Sequence, residues 1–344
     1  MIEQARRYPQ VRWMGSKHRL LPWIAEVLAG ERFDTALDAF SGSGAVAYLL
    51  KAMGKTVIAS DFLNVCHTLT AATVENGTAR LTRLEVGGLE RRRRGQPRFI
   101  AETFRGIFYT PEDLDFLDRV SANIESLRGP GRRALARAAL VRSCAKRQPR
   151  GVFTVAGDPA RYKDGRRDLA LSLAEHFREQ VEAYNDAVFD NGRPNRSFKA
   201  DAFAVEAGPV DLVYLDPPYV PRADDNCYMK RYHFLEGLSC YWKGLTLQEK
   251  SKVRKVAKPY TPFSYRKDAV AAFTRLFARW PRATLALSYS SNGWPDLPVL
   301  VDLLERTGRT VAVHARDHRY HFGTHRNVER SRVEEYLVIA RKTR

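Results

Sequence analysis

The sequence predicts an α/β fold in which helices flank an open, mostly parallel sheet, and a long helical insertion interrupts that sheet. Three observations predict it. Near the amino terminus, apolar segments alternate between strand and helix periodicity around a glycine turn. This alternation stops between positions 65 and 196, where helical patterns dominate. It resumes near position 197 and leads to an apolar strand, Val210–Leu215, which is followed by two prolines.

The first part of the chain predicts one half of a mononucleotide-binding fold. In chain order the pattern predicts the N-cap Ser16, helix Lys17–Ala29 ended by Gly30, strand Thr35–Phe40, turn Ser41–Gly44, helix Ala45–Met53 and strand Thr56–Ser60. Asp61 follows at the tip of the second strand. Strand, glycine turn, helix, strand and acid in this order are typical of nucleotide-binding α/β sheets.

The remaining elements follow from the same periodicities. The insertion predicts a helix after the N-cap Thr110 and helices Arg132–Arg147 and Leu169–Phe189. After strand Val210–Leu215, the sequence predicts a helix from Leu247 capped by Thr246 and Glu249, helices Lys267–Trp280 and Asp296–Arg306, and strands Ala283–Tyr289, Thr310–Ala315 and Glu335–Arg341. The last two strands are expected to pair antiparallel at the sheet edge.

Composition indicates an intracellular protein with a polyanionic partner. The chain has 344 residues, a formal net charge of +18 and four cysteines without a C-x-x-C pair. An excess of Lys and Arg favours binding to phosphates, although it also serves general solubility. No apolar run approaches the length of about 20 residues that spans a membrane, and the start lacks the apolar core of a signal peptide. We therefore expect a soluble cytoplasmic protein without a membrane partner.

The segment Asp216–Tyr219, D-P-P-Y, carries the most specific chemical signal. It follows a buried strand, and ligands bind at the carboxyl ends of strands in open α/β sheets. Asp216 and the Pro217 carbonyl can accept the two N–H bonds of an exocyclic amino group, which directs the nitrogen lone pair at an electrophile. Pro218 stiffens the turn and Tyr219 can stack on a base. The alternative is a rigid turn without chemistry.

Three other positions suit a nucleoside-containing ligand. The glycine turn allows close backbone approach and precedes a helix whose N–H groups favour a carboxylate. Asp61 can accept hydrogen bonds from ribose hydroxyls. Asp201 and Phe203 can bind and stack on an adenine. Each position also has a structural alternative: an ordinary turn, a helix cap at Asp61, and a capping acid with a core ring at Asp201 and Phe203. The third glycine of a dinucleotide fingerprint is absent, which disfavours an oxidoreductase.

Basic residues next to aromatic residues suit phosphate contact and base stacking. We expect DNA contacts from Arg91, Arg92, Arg93, Arg94, Arg147, Lys230, Arg231, Arg319 and Arg326. Four histidines lie close together at His314, His318, His321 and His325. We expect no metal there, because no cysteine is near.

Read in order, R-W-M-G-S-K (Arg12–Lys17), D-A-F-S-G-S-G (Asp38–Gly44), Asp61, D-A-F (Asp201–Phe203) and D-P-P-Y (Asp216–Tyr219) resemble Dam-type adenine-specific DNA methyltransferases. The resemblance implies a Rossmann-like class I fold that uses S-adenosyl-L-methionine (SAM). It implies cofactor contacts from Trp13, Lys17, Asp38, Phe40, Ser41, Gly42, Ser43, Gly44, Asp61, Asp201, Phe203 and Asp216. The catalytic loop would be Asp216, Pro217, Pro218 and Tyr219.

The resemblance also implies a domain division and a reaction. Residues 1–64 and 197–344 would form the catalytic domain, and residues 65–196 a helical target-recognition domain. The expected reaction is N6 methylation of an adenine flipped out of duplex DNA, with a cognate restriction endonuclease as a candidate partner. Leu63 and Asn64 depart from the family, which often has Asn two residues after the ribose acid. Methylation of RNA or of cytosine N4, and a catalytically silent DNA-binding module, remain alternatives.

Overall fold

The computed structural model describes residues 2–149, 151–156, 165–221, 227–319 and 332–342. The strands are β1 (Thr35–Asp38), β2 (Thr56–Asp61), β3 (Arg196–Lys199), β4 (Leu212–Leu215), β5 (Val220–Pro221), β6 (Thr284–Ser290), β7 (Gly293–Trp294), β8 (Arg309–Arg319) and β9 (Arg332–Lys342). The helices are α1 (Ile2–Arg6), α2 (Leu21–Ala29), α3 (Ala45–Ala52), α4 (Asn64–Thr70), α5 (Arg83–Leu89), α6 (Phe99–Thr103), α7 (Pro111–Ile124), α8 (Pro130–Arg147), α9 (Arg167–Ala170), α10 (Leu173–Ala187), α11 (Tyr228–Cys240), α12 (Arg266–Ala278) and α13 (Leu297–Glu305).

The central sheet has the strand order β3-β2-β1-β4-β6-β9-β8. Strands β3, β2, β1, β4 and β6 are parallel, and β9 runs antiparallel to both β6 and β8. The order reverses direction at β1, so a crevice opens at the carboxyl ends of β1 and β4. The Rossmann-like class I sheet and its antiparallel edge are thereby confirmed.

Helices cover both faces of this sheet. Alternate strand residues point to opposite faces, and the two faces have separate apolar cores. One core packs α1, α2 and α3 against the sheet and contains Leu21, Leu28, Tyr48 and Tyr214. The other packs α12 and α13 against it and contains Phe273, Leu276, Leu300, Val213 and Leu285. Both faces are buried, which explains the nearly continuous apolar strands.

A third apolar core forms a helical lobe beside the sheet. It joins residues of α4, α6, α7, α8 and α10 with residues of α11. Helix α7 begins at Pro111 after Thr110, whose hydroxyl accepts the N–H of Asp113 as predicted. The predicted helix Arg132–Arg147 corresponds to α8, and Leu169–Phe189 divides into α9 and α10. No helix within the described residues is long and apolar enough to cross a membrane.

The segment after the D-P-P-Y tetrad differs from the prediction. Helix α11 occupies Tyr228–Cys240, where the sequence indicated only a polar, basic and aromatic segment. Nine of its residues are buried, and they do not follow a stripe of one face. The predicted helix from Leu247 is wrong, because Leu247 forms a β-bridge with Val256 and the chain doubles back there. The pairing of Leu247 with Val256 therefore outweighs the helix-capping pattern of Thr246 and Glu249.

Other differences concern the ends of elements. The predicted strand Thr35–Phe40 is shorter at its carboxyl end, which turns into the loop of the crevice, and the predicted strand Val210–Leu215 begins only at Leu212. The predicted helix Lys17–Ala29 begins as a 3₁₀ turn, Lys17–Leu20, before α2. The capping role predicted for Ser16 is wrong, because its side chain makes no cap hydrogen bond.

A close contact between Gly237 of α11 and Trp242, just after this helix, allows a test of packing and stability. A Cβ atom at Gly237 would lie 2.1 Å from Cε2 of the buried Trp242. We expect Gly237→Ala to lower the free energy of unfolding by about 1–3 kcal/mol, the usual cost of overpacking. The matched control is Gly87→Ala on the exposed face of α5, where the new Cβ meets nothing within 4 Å. It should stabilise by about 0.5–1 kcal/mol. Urea denaturation measures both, and equal effects would contradict the packing argument.

Candidate active site

A pocket lies at the carboxyl ends of β1, β2 and β4. Parallel strands deliver their final residues to one edge of a sheet, so residues far apart in sequence meet there. The described residues that line the pocket include these predicted site residues: Trp13, Lys17, Asp38, Phe40, Ser41, Gly42, Ser43, Asp61, Asp216 and Pro218. The structure therefore brings most of the predicted cofactor and catalytic residues together.

The tetrad acid forms an ion pair with the amino-terminal lysine. The Nζ atom of Lys17 lies 2.9 Å from Oδ2 of Asp216, and their side chains are 7% and 20% exposed. Burial disfavours the ammonium, but Asp216 and Glu335 raise the pKa of Lys17 above its ordinary value. Burial also raises the pKa of Asp216, and the nearby Lys17 limits that rise. The ion pair fixes the orientation of the Asp216 carboxylate at the end of β4.

Asp61 links the second strand to the glycine turn. Its carboxylate accepts the backbone N–H of Gly42 at 2.9 Å and that of Leu63 at 3.0 Å. Burial raises the pKa of Asp61 to about 6, although both hydrogen bonds oppose the rise. Gly42 has a φ of 50°, and a Cβ atom there would lie 3.3 Å from Nε1 of Trp13. Only glycine adopts this conformation without strain while leaving the turn close to the pocket.

Three buried polar atoms of the pocket wall have no hydrogen-bond partner in the described part of the chain: Ser16 Oγ, Asp38 Oδ1 and Ser41 Oγ. Burial raises the pKa of Asp38 well above its ordinary value, and the carboxylates of Asp216 and Asp61 raise it further. A buried acid of this kind is stabilised by a cation, and a buried hydroxyl by a polar partner. The ammonium and carboxylate of an amino-acid-like cofactor supply such groups. The pocket wall therefore fits SAM.

A second chamber adjoins the main pocket. It is lined by Asp201, Phe203, Tyr260 and Phe263 and shares Phe40, Asp61, Phe62 and Pro218 with the main pocket. Asp201 is exposed and accepts the N–H of Phe203 at 2.7 Å. The Phe203 ring lies parallel to Phe263, with 5.7 Å between centroids, and the guanidinium of Arg275 lies 3.9 Å from its centroid. Arg275 covers one face of the Phe203 ring, so an adenine could contact only the remaining surface of that ring.

The pocket also contains residues that the sequence did not indicate. Trp13 stacks on Tyr232 of α11 at 4.1 Å and on Tyr228 at 5.8 Å. Tyr228 lines the pocket, and the Tyr232 hydroxyl accepts the N–H of Met14 at 2.7 Å. Tyr228 and Tyr232 are four residues apart and thus share one helix face. That spacing was the signal for these positions, in a segment where the sequence had indicated only Lys230 and Arg231 as DNA contacts.

Helix α11 also holds the loop after the ribose acid. Its buried Glu236 accepts the N–H groups of Asn64 and Val65, both at 2.9 Å, and the Asn64 amide at 2.7 Å. Glu236 therefore caps the first turn of α4 and holds the Asn64 side chain, and Asn64 does not line the pocket, whereas Leu63 does. The departure from the family pattern at this loop thus leaves Asp61 in its expected place.

The tetrad is anchored on its far side. Tyr219 packs against Tyr289 at 5.2 Å and 61° between the rings. The next residues, β5, pair antiparallel with β7 through Val220 and Trp294. This two-stranded sheet continues directly from the tetrad, so the turn is fixed at both ends. Pro218 lies between the two chambers and lines both.

The DNA contact predicted for Arg147 is wrong. Its guanidinium is 10% exposed and lies 2.6 Å from the carboxylate of Asp113. It also donates to the carbonyl groups of Leu169 and Leu171. A buried arginine with these partners joins α7, α8 and the segment before α10, and it is not available to phosphates.

The other predicted DNA contacts differ in position. Arg91, Arg92, Arg93 and Arg94 are exposed after α5, and Arg92 pairs with Asp115 at 2.7 Å. Lys230 is exposed and Arg231 half-buried on the first turn of α11. Arg319 is the last residue of β8, and Arg326 lies outside the described residues. Of the histidines, His314 and His318 lie on β8, and His321 and His325 fall outside the described residues.

A family model for the D12 class N6 adenine-specific DNA methyltransferases matches residues 13–284, from the stacked Trp13 to the start of β6. The chain belongs to this family. A curated relative, the Type II methyltransferase M2.HphI of Haemophilus parahaemolyticus, is 30% identical over 330 residues, which is 91% of this chain and 93% of the relative. This enzyme is therefore a SAM-dependent DNA adenine methyltransferase, as predicted.

A solved structure also resembles this methyltransferase. The crystal structure of magnesium protoporphyrin IX methyltransferase from Synechocystis PCC 6803 with bound SAM covers 99% of this chain and 91% of its own. The identity is 9% and the TM-score 0.33. This likeness is too distant to support an argument about the site. The assignment of the fold rests on the strand order of the sheet and on the matched family.

Cofactor binding should weaken as the pH falls through about 6. Because burial raises the pKa of Asp61, the protonated side chain stabilises the folded, cofactor-free protein most below about pH 4. This contribution to stability is lost as the pH rises through about 6. A cofactor that prefers the carboxylate binds best above that window. We expect about tenfold weaker SAM binding at pH 5 than at pH 7.5 by calorimetry.

The control for this prediction is Asp61→Asn, which cannot ionise. It should bind SAM weakly at both pH values and lose most of the pH dependence near 6. The same pH dependence in wild type and variant would show that another group is responsible.

Proposed function

We propose that Asp216, Pro217, Pro218 and Tyr219 form the catalytic loop and hold the amino group of the target adenine. The observation that carries this proposal is the Lys17–Asp216 ion pair beside the glycine turn in one pocket. Bound SAM supplies an electrophilic methyl group on a sulfonium. Lys17 occupies one oxygen of Asp216, so the carboxylate has a fixed direction in which it accepts a hydrogen bond.

The amino group of adenine is a weak nucleophile because its lone pair is delocalised into the ring. In this proposal Asp216 and the Pro217 carbonyl accept its two N–H bonds, which favours a more tetrahedral nitrogen. Tyr219, fixed by Tyr289, provides a face for the base. The nitrogen forms the new bond to the methyl carbon as that carbon leaves sulfur, and the displaced amino proton goes to Asp216 or to solvent. Positioning supplies much of the rate.

The cofactor-contacting set in this proposal comprises Trp13, Lys17, Asp38, Phe40, the Ser41–Gly44 turn, Asp61, Asp201 and Phe203. The unpartnered atoms of Asp38 and Ser41 would receive the amino-acid end. The second chamber, with Asp201 and Phe203, would receive the adenine. Asp61 lies between the two chambers and would receive the ribose.

We further propose that the target adenine is flipped out of duplex DNA. Its amino group takes part in base pairing inside the helix, and the pocket lies inside a crevice that a stacked base does not enter. Residues 65–196 would form the target-recognition domain between the two parts of the catalytic domain. Arg91–Arg94, Lys230, Arg231, Arg319 and Arg326 remain the proposed DNA contacts from the sequence.

A cognate restriction endonuclease is the proposed biological partner. The support is the similarity to a Type II methyltransferase over most of both chains. Methylation would then protect the recognition site from cleavage. A bacterial nucleoid as the source of the DNA stays a prediction from the sequence.

The substrate is tested by single-molecule sequencing of DNA from cells that express the protein, which reports both the modified base and its context. N6-methyladenine in one repeated sequence motif supports the proposal. Purified protein with labelled SAM and matched DNA and RNA provides the second measurement. Label in cytosine, or in RNA alone, would refute the proposed base and polymer.

Asp216→Ala should reduce methyl transfer by at least about 100-fold, because it removes an acceptor that orients the amino group. Retention of duplex DNA in a gel-shift assay should stay close to wild type, since Asp216 contacts the base and not the phosphates. Single-turnover methylation measures the first effect. Asp186→Asn, an exposed acid on α10, is the matched control and should keep both properties. A variant at position 216 with wild-type transfer would remove this acid from the mechanism.

A further inference from the structure

A strongly basic segment follows α11 and lies outside the predicted target-recognition domain. Residues 243–258, here called the basic hairpin, contain six Lys or Arg and one acid, a net charge of +5. The cations are Lys243, Lys250, Lys252, Arg254, Lys255 and Lys258. Such a density of one charge sign is a footprint of polyanion binding.

The basic hairpin is held by its backbone and its apolar residues. Leu247 and Val256 form a β-bridge, and the N–H of Gln248 donates to the carbonyl of Lys255 at 2.7 Å. Val253 and Val256 are buried in the core of the helical lobe. The lysine ammonium groups are therefore not needed to form the hairpin. The positive charges of the basic hairpin therefore have a role other than folding.

The tip of the basic hairpin is also ordered. Arg254 has a φ of 51°, in the left-handed region, and its guanidinium donates to the carbonyl of Glu249 at 2.8 Å. No ion pair found among the described residues includes Lys250, Lys252 or Lys255. With one acid, Glu249, beside three lysines in this short segment, positive charge is in excess, and bound phosphates reduce the repulsion among the cations.

Lys250, Lys252 and Lys255 line an open cleft. The cleft has a volume of about 920 Å³ and lies between the basic hairpin and Thr154–Ala156. The chain then continues to Tyr260, which lines the second chamber of the site. Five residues span at most about 17 Å, so the backbone of Lys255 lies within about that distance of the chamber wall at Tyr260.

We propose that the basic hairpin is a backbone clamp in which Lys250, Lys252 and Lys255 contact phosphates of the duplex that flanks the target adenine. This inference rests on the DNA-methylating function and adds a surface to it. Lysine is a point charge without bidentate geometry, so the contact is independent of base sequence. The clamp would hold the duplex while the helical lobe reads it.

The test is a variant with Lys250→Gln, Lys252→Gln and Lys255→Gln. Its affinity should fall by about tenfold or more at moderate salt for cognate and for unrelated duplexes alike. The slope of log affinity against log salt should become shallower by about one unit for each lysine. SAM affinity should be unchanged. A variant with arginine at the three positions keeps the charges and should bind DNA like wild type.

The matched control removes three cations at the opposite edge of the sheet: Arg193→Gln, Arg282→Gln and Arg306→Gln, all exposed at the amino-terminal side. It should keep the wild-type affinity and salt slope. Equal affinity and slope in the lysine variant and this control would overturn the clamp, as would a loss confined to the cognate duplex. Methylation of DNA by the wild-type protein is measured first. An absence of methylation in that measurement would show that the DNA-methylating function fails, independently of the clamp.

Discussion

The ion pair between Lys17 and Asp216 connects the amino-terminal segment to the tetrad that follows β4. Both side chains are largely buried in the crevice, where removing either charge would leave the other unpaired. The pair therefore fixes the position of the segment Arg12–Lys17 over the carboxyl edge of the sheet. That segment also carries Trp13, which closes against the glycine turn at Gly42. One electrostatic contact thus joins the proposed cofactor-binding segment to the proposed catalytic loop.

Three carboxyl groups share this crevice, and their proximity has a chemical consequence. Asp38 and Asp61 have raised pKa values because they are buried, and Asp216 adds to the rise at Asp38. Among the charges in the described residues that act on Asp216, Lys17 lowers its pKa and Glu335 raises it. An acidic cavity of this kind favours a cationic ligand. A cofactor with an ammonium and a sulfonium fits this requirement, whereas an anionic dinucleotide does not.

Helix α11 connects the cofactor pocket to the helical lobe. Its first turns carry the tyrosines that stack on Trp13, and Glu236 caps α4 next to the ribose acid. Its far end packs against Trp242, from which the basic hairpin begins. Helix α11 therefore runs from the pocket wall at Tyr228 into the apolar core of the helical lobe, with a kink in its backbone at Tyr232.

The sequence by itself determined most strands of the central sheet, the glycine turn, the acids at strand ends and the D-P-P-Y corner. These features are local, since strand ends, turns and caps follow from residues a few positions apart. Only the tertiary structure decided the rest. Helix α11 is buried on most sides and so lacks the apolar stripe that periodicity detects, and Arg147 resembles a DNA contact until Asp113 is found beside it. Contacts between distant segments determine which residues are buried. Burial in turn determines whether a charged side chain forms an internal ion pair or is available to a phosphate.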